Sequence, residues 1–233
     1  YKDLGVFYYR YGRYAEAEPH FRRIIELTPD NHRGYSNLGG VYHQLGRLDE
    51  AIAMYEKSLA LRPDYRAHNN LASVYFDQGN YDRAAHTYEQ ALQIDDRDYR
   101  LWGNLAAAYR WGTGPQHKAE HAYRQAISRG ERQLEVNPRD PMLLGILADY
   151  YAELGNTSKA KQLIRKALRS ESRESELFFT AALVYERTGE RERALSSLRE
   201  ALAHGYPGEA LRHPALARLR EDARFQGLLR QQP

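Results

Sequence analysis

Three stretches of the chain repeat one another: NLGGVYHQLG at residues 37–46, NLASVYFDQG at 70–79 and NLAAAYRWGTG at 104–114. Taking the Leu as an anchor gives Leu4, Leu38, Leu71, Leu105 and Leu147, with Ala181 in the sixth place, at spacings of 34, 33, 34, 42 and 34. The next residue is always small: Gly5, Gly39, Ala72, Ala106, Ala148 and Ala182. Four residues after each anchor stands a Tyr: Tyr8, Tyr42, Tyr75, Tyr109, Tyr151 and Tyr185. A Gly follows (Gly12, Gly46, Gly79, Gly114, Gly155, Gly189), then an Ala (Ala17, Ala51, Ala84, Ala119, Ala160, Ala194). Four positions after that Ala comes a large residue: Phe21, Tyr55, Tyr88, Tyr123, Ile164 or Leu198. Pro29, Pro63 and Pro138 close three of the units.

Each unit therefore holds two apolar stretches at helical spacing with a Gly between them, which predicts helix, turn, helix. A small residue beside the anchor lets the two helices approach, and a Leu there would overpack by about 1–3 kcal/mol. The Tyr lies one turn beyond the anchor on the same face, its ring between helices and its hydroxyl free to reach water or a carbonyl at the edge. The closing Pro ends the second helix because it cannot continue the hydrogen-bond ladder.

These positions, in register over essentially the whole chain, resemble the tetratricopeptide repeat family. The resemblance implies an all-α fold, a right-handed α-solenoid of about six helix pairs with a concave inner face. The expected units are 1–33, 34–66, 67–100, 101–142, 143–176 and 177–204, followed by a C-terminal cap over 205–233. In that tail Leu216, Leu219, Phe225 and Leu228 keep helical spacing, as a cap over the last apolar face requires. The tail is also similar to the ends of such segments in multidomain bacterial signalling proteins. Because the chain opens with Tyr1, it is expected to come from something longer, with targeting signals outside it.

The fourth unit is eight residues too long. One extra residue falls in the turn WGTGPQHK and seven in the second helix, from about Gln116 to Asn137, lengthening it by roughly 10 Å. Seven residues return almost to the same helix face, so Ile127, Leu134 and Val136 are expected to continue an apolar edge.

Composition narrows the chemistry. With 34 basic and 31 acidic residues the net charge is +3, which argues against a strongly basic nucleic-acid domain, and no Cys is present to form disulfides or thiol nucleophiles. No apolar run approaches the roughly 18 residues of a membrane span. HKAEH, His117 to His121, matches a zinc-peptidase pattern, but the helix phase set by Ala119 turns both His toward solvent and no third ligand is apparent. The Gly112–Gly114 GTG lacks the Lys and Ser/Thr of a phosphate loop and fills the turn that every unit has. No enzyme, no cofactor and no metal are expected.

What remains is the inner face. One residue before the anchors stand Asn37, Asn70 and Asn104; five before stand Arg33, Arg66 and Arg100. Asn offers a donor and an acceptor to peptide amides, and Arg pairs with carboxylate or phosphate. The Asn ladder is similar to that of the O-linked N-acetylglucosamine transferase superhelix, which holds peptide backbones. Lys2, Asn37 and Arg66 match part of the two-carboxylate clamp of chaperone-binding repeats, whereas Val6 and Asn70 depart from it. Tyr9, Phe76 and Trp111 are expected apolar anchors. Arg33, Arg66 and Arg100 early, against Asp149, Glu153, Glu176 and Glu186 late, predict a groove polarised in charge. The leading reading is a non-catalytic cytoplasmic scaffold that binds a protein or peptide segment, an acidic one by preference. Self-association of a larger signalling protein is the alternative, and RNA binding through Arg and aromatics ranks below both.

Overall fold

The structure is a computed structural model that describes residues 1–208, 211 and 213–230. Among the described residues it is all-helical, with no strand. Six helix pairs follow in order: α1 Lys2–Arg10 with α2 Tyr14–Leu27, α3 His32–Gln44 with α4 Leu48–Leu61, α5 Tyr65–Asp77 with α6 Tyr81–Ile94, α7 Tyr99–Trp111 with α8 Gln116–Val136, α9 Pro141–Glu153 with α10 Thr157–Ala167, and α11 Ser175–Arg187 with α12 Arg191–Ala203. Two short 3-10 turns, Pro214–Leu216 and Leu219–Glu221, lead into α13, Ala223–Arg230. The chain forms two compact units, 1–122 and 123–233, and the boundary falls inside α8.

In the first unit the repeated residues do the packing the pattern implies. Ala17, Ala51 and Ala84 are 0% exposed, each facing the partner helix of its pair. A Cβ on Gly39 would sit 3.1 Å from three ring carbons of Tyr55, so the small residue beside the anchor is where that ring lies. The turns at Gly12, Gly46 and Gly79 use the left-handed conformation, with φ of 70°, 72° and 75°, which glycine adopts without a Cβ penalty. Asn31, Asp64 and Asp98 cap α3, α5 and α7 by accepting hydrogen bonds from first-turn N–H groups.

The GTG turn departs from that scheme. Gly112 has φ −81° and no left-handed glycine stands there. The turn is instead pinned to α6, where Asp82 accepts from the Thr113 N–H at 2.9 Å and from its hydroxyl at 2.7 Å. A Cβ on Gly112 would lie 2.6 Å from Asp82 Oδ1, so this glycine serves close approach, not a positive φ.

The Tyr hydroxyls also differ from expectation. They reach a Glu on the second helix of the preceding pair: Tyr42 donates to Glu18 and Tyr75 to Glu56, both at 3.3 Å, and Tyr109 to Glu89. A cation from the next helix lies over each ring, Arg47 at 4.2 Å, Arg83 at 4.2 Å and Lys118 at 5.1 Å from the centroids.

In the second unit the same device recurs, with Tyr151 donating to Glu131 at 2.7 Å. Helix α8 has 21 residues against 11 for α10. Ile127 is 7% exposed, but Val136 is 87% exposed and does not extend the apolar edge. Gly130 permits the contact with α9, since a Cβ on it would lie 2.7 Å from Leu147 Cδ2. Leu211, Leu216, Leu219, Phe225 and Leu228, at 0–5% exposure, are buried in the cap.

Candidate functional site

The first helices of the first unit lie side by side, α3 against α5 and α5 against α7. Their N-caps fix a common register. Asn31, Asp64 and Asp98 accept from the backbone N–H of Arg33, Arg66 and Arg100 at 3.2, 2.8 and 2.9 Å, so each Arg starts its helix in the same place. The Asn four residues on then shares its helix face. All three Arg are exposed, and Asn37, Asn70 and Asn104 are half-buried.

Two of the Arg are held by aromatic neighbours. Arg66 Nε donates to the Tyr65 hydroxyl at 3.0 Å with its guanidinium 5.5 Å from the ring centroid, and Arg100 lies 5.4 Å from that of Tyr99. This stacking limits the rotamer freedom that an unsupported Arg loses on binding.

The amides form a chain that includes a residue the repeat pattern does not single out. Asn104 Nδ2 donates to Asn69 Oδ1 at 3.4 Å, and Asn69 Nδ2 donates to Asn70 Oδ1 at 3.3 Å. Asn70 also hydrogen-bonds the Tyr55 hydroxyl, which burial holds well above the ordinary Tyr range. A second cross-link joins α3 to α5, His43 Nε2 lying 2.6 Å from Asp77 Oδ2. The expected anchors Tyr9 and Phe76 are half-buried and rest edge-on against Tyr14 and Tyr81 of the following helices, at 5.3 and 5.0 Å between centroids. Trp111 is half-buried at the end of α7. Of the clamp positions, Lys2 and Val6 lie together on α1, beside Phe7, Arg10 and Tyr11, in a surface hollow of ≈500 Å³.

The second unit does not offer the free acidic face that its sequence suggests. Arg187 pairs with Asp149 and reaches Glu153 Oε1 at 2.6 Å, and Glu186 lies 3.5 Å from Arg191. Burial pushes the Asp149 carboxyl up, against the opposing pull of Arg187. The tail covers part of the same helix: Tyr206 stacks on Phe179 at 4.5 Å, and His213 meets that ring edge-on at 5.9 Å. Asp149, Glu153 and Glu186 are thus engaged inside the unit while Glu176 is exposed, so three of the four expected acidic residues do not form an open surface.

His117 and His121 are exposed, and with Lys118, Trp102, Leu105 and Tyr109 they line a cavity of ≈770 Å³ between α6 and the start of α8. Among the described residues no three His, Cys, Asp or Glu side chains are grouped to hold a metal ion, and no helix is long and apolar enough to cross a membrane.

Two family models described as tetratricopeptide repeat match the chain, one at residues 1–64 and 30–97 and the other at 117–176. The DnaJ homolog subfamily C member 3 of Gallus gallus is 26% identical over 207 residues, 82% of this chain and 39% of that protein. The Hsp70-Hsp90 organizing protein of Triticum aestivum is 32% identical over 119 residues, 51% of this chain and 20% of that protein. The chain thus spans well under half the length of both relatives. Among solved structures, a thermophilic TPR protein of Thermus thermophilus matches with a TM-score of 0.60 and 25% identity, over 81% of this chain and 99% of that one.

Proposed function

Because the chain belongs to the tetratricopeptide repeat family, we propose that it is a non-catalytic protein-interaction scaffold whose ligand, an extended peptide segment with acidic side chains or a free C-terminus, lies across α3, α5 and α7 of the first unit. The observation that carries this is the contrast between two sets of inner positions. In the first unit Arg33, Arg66 and Arg100 are exposed and Asn70 and Asn104 are joined through Asn69; in the second Asp149, Glu153 and Phe179 are already in contact with Arg187 and the tail. The Asn side chains would hold backbone amides whatever the sequence, and the Arg would select acid. Similarity to an Hsp70-Hsp90 organizing protein supports a protein ligand at the level of the family. We place the scaffold in the cytoplasm.

An array of random 12-residue peptides tests this. Arg33→Glu/Arg66→Glu/Arg100→Glu should lose acidic peptides selectively, whereas Asn37→Ala/Asn70→Ala/Asn104→Ala should weaken all bound peptides alike. If the Asn variant keeps every signal, the ladder is solvated surface and the reading fails.

A further inference from the structure

Arg33, Arg66 and Arg100 hold one register position on three neighbouring helices, because the caps Asn31, Asp64 and Asp98 accept from their N–H groups. The helices are cross-linked along this face. Asn104 of α7 donates to Asn69 of α5 at 3.4 Å, and His43 of α3 lies 2.6 Å from Asp77 of α5. Packed helices lie about 8–10 Å apart. The Arg therefore form rungs at that spacing, and the Asn four residues on form a second row with the same spacing.

Free Arg rotamers would blur such a ruler, but two of the three side chains are held. The Arg66 guanidinium lies 5.5 Å from the Tyr65 centroid and its Nε donates to the Tyr65 hydroxyl, while Arg100 lies 5.4 Å from the Tyr99 centroid. The Tyr99 ring is 5% exposed, so packing fixes it in turn. His32 stands in the corresponding place before Arg33. The firm rungs are Arg66 and Arg100.

Backbone conformations meet these rungs differently. In a β-strand, same-face residues are about 7 Å apart at a step of two and about 13 Å at a step of four, and residues three apart face opposite sides. In an α-helix a step of seven gives about 10 Å, but the amides are bonded internally and have nothing to offer the Asn row. In polyproline II one turn is three residues and about 9 Å, so every third side chain faces the same way, and the amides make no internal hydrogen bonds. Of the three, only polyproline II serves both rows at once. Among the described residues Asn104 hydrogen-bonds through Nδ2 alone, which leaves its Oδ1 to accept a peptide N–H.

Resting on the reading of the groove given above, we propose that its ligand is a polyproline II segment with Glu or Asp at every third position, two of these acids meeting Arg66 and Arg100 and the amides between them meeting the Asn row. The groove reads the period of the acids and not merely their number. A further acid one turn along meets Arg33, which adds affinity without sharpening the spacing.

Short acetylated, amidated peptides of identical composition test this: three Glu among Ala and Pro, with the Glu two, three or four residues apart, titrated into the intact chain by calorimetry. The three-residue spacing should bind at least about fivefold more tightly than the other two. Replacing its Pro by Ala should weaken binding, because the ligand loses a preformed conformation, whereas a ligand bound as a helix would gain. Tyr65→Ala should keep acid-dependent binding and lose most of the preference for spacing. Equal affinity at the three spacings, with binding still lost in Arg33→Glu/Arg66→Glu/Arg100→Glu, overturns the period and leaves the reading of the groove standing. So does tighter binding of the Ala-substituted peptide, or a preference that Tyr65→Ala leaves whole. If none of the peptides binds, or if Asn37→Ala/Asn70→Ala/Asn104→Ala leaves their binding unchanged, both fall.

Discussion

Replacing Gly39 and Gly40 with Ala, one at a time, should move stability in opposite directions. Both glycines lie inside α3, where Ala is favoured over Gly by about 1 kcal/mol. A Cβ on Gly40 would meet its nearest neighbours, the Tyr55 and Tyr9 hydroxyls, at 3.5 Å, which is ordinary contact. A Cβ on Gly39 would meet three Tyr55 ring carbons at 3.1 Å. That ring is 1% exposed and its hydroxyl is held by Asn70, so it has little room to yield. The overpacking cost is about 1–3 kcal/mol, which outweighs the gain in propensity. For a chain of 233 residues, 1 kcal/mol corresponds to about 2 °C in Tm. Gly40→Ala should therefore melt about 1–2 °C higher, and Gly39→Ala up to about 4 °C lower than the parent, in thermal and urea unfolding with the urea slope unchanged. A Gly39→Ala variant as stable as Gly40→Ala would refute the packing argument. Asn70 should also report the strain through a shifted side-chain NH₂ resonance in Gly39→Ala alone.

The remaining predictions concern other parts of the chain. Ala84→Leu should lower Tm far more than Ala152→Leu, because Ala84 is 0% exposed and Ala152 is only half-buried. Arg187→Ala leaves Asp149 and Glu153 without their cation and should cost about 3 kcal/mol in urea unfolding, with Arg187→Lys recovering only part. Burial, reinforced by Arg187 and Arg220, lowers His213 from 6.5 to about 4. Its folded pKa is depressed, so the stability tied to it is present above pH 6.5 and is lost as pH falls toward 4; His213→Asn should remove that slope, read as Tm against pH. Thr113→Val deletes the hydroxyl that helps to hold Asp82 below the usual carboxylate range, and should speed hydrogen exchange in the 112–115 turn without unfolding the helices.

The fold was legible because each helix pair poses one packing problem and solves it with the same side chains. A ring such as that of Tyr55 demands a Gly or Ala opposite, and a left-handed turn favours Gly46 or Gly79, so the solution is printed at near-constant spacing. The face shared by Arg33 and Asn37 follows equally from a four-residue step on a helix. Other features depend on partners in a different pair. Glu18 lies 24 residues before Tyr42, while Glu56 lies 19 before Tyr75, and this uneven separation hides the hydroxyl acceptors from a search by period. Asp82 fixes the GTG turn from 31 residues away. Asn69, one position off the ladder, joins it through its neighbour Asn70 and through Asn104 on another helix. Asp149 and Glu153 look like surface charge until Arg187, on the next first helix, is seen to hold them.

The Tyr–Glu bonds carry a consequence for how the first unit comes apart. Glu18 belongs to one pair and the Tyr42 it serves belongs to the next; Glu56 and Tyr75, and Glu89 and Tyr109, divide in the same way. These three Tyr hydroxyls find their Glu only in the pair before, so part of the free energy resides in the junctions and not in the modules. In a one-dimensional lattice of this kind, strong neighbour coupling suppresses states in which a middle module melts between two ordered ones, because two junctions break at once. Loss of order should instead enter from an end and advance junction by junction. Cutting Glu56→Ala into the lattice should create a domain wall between α4 and α5, so that α1–α4 and α5–α7 lose amide protection at separate denaturant concentrations where the parent loses it over one.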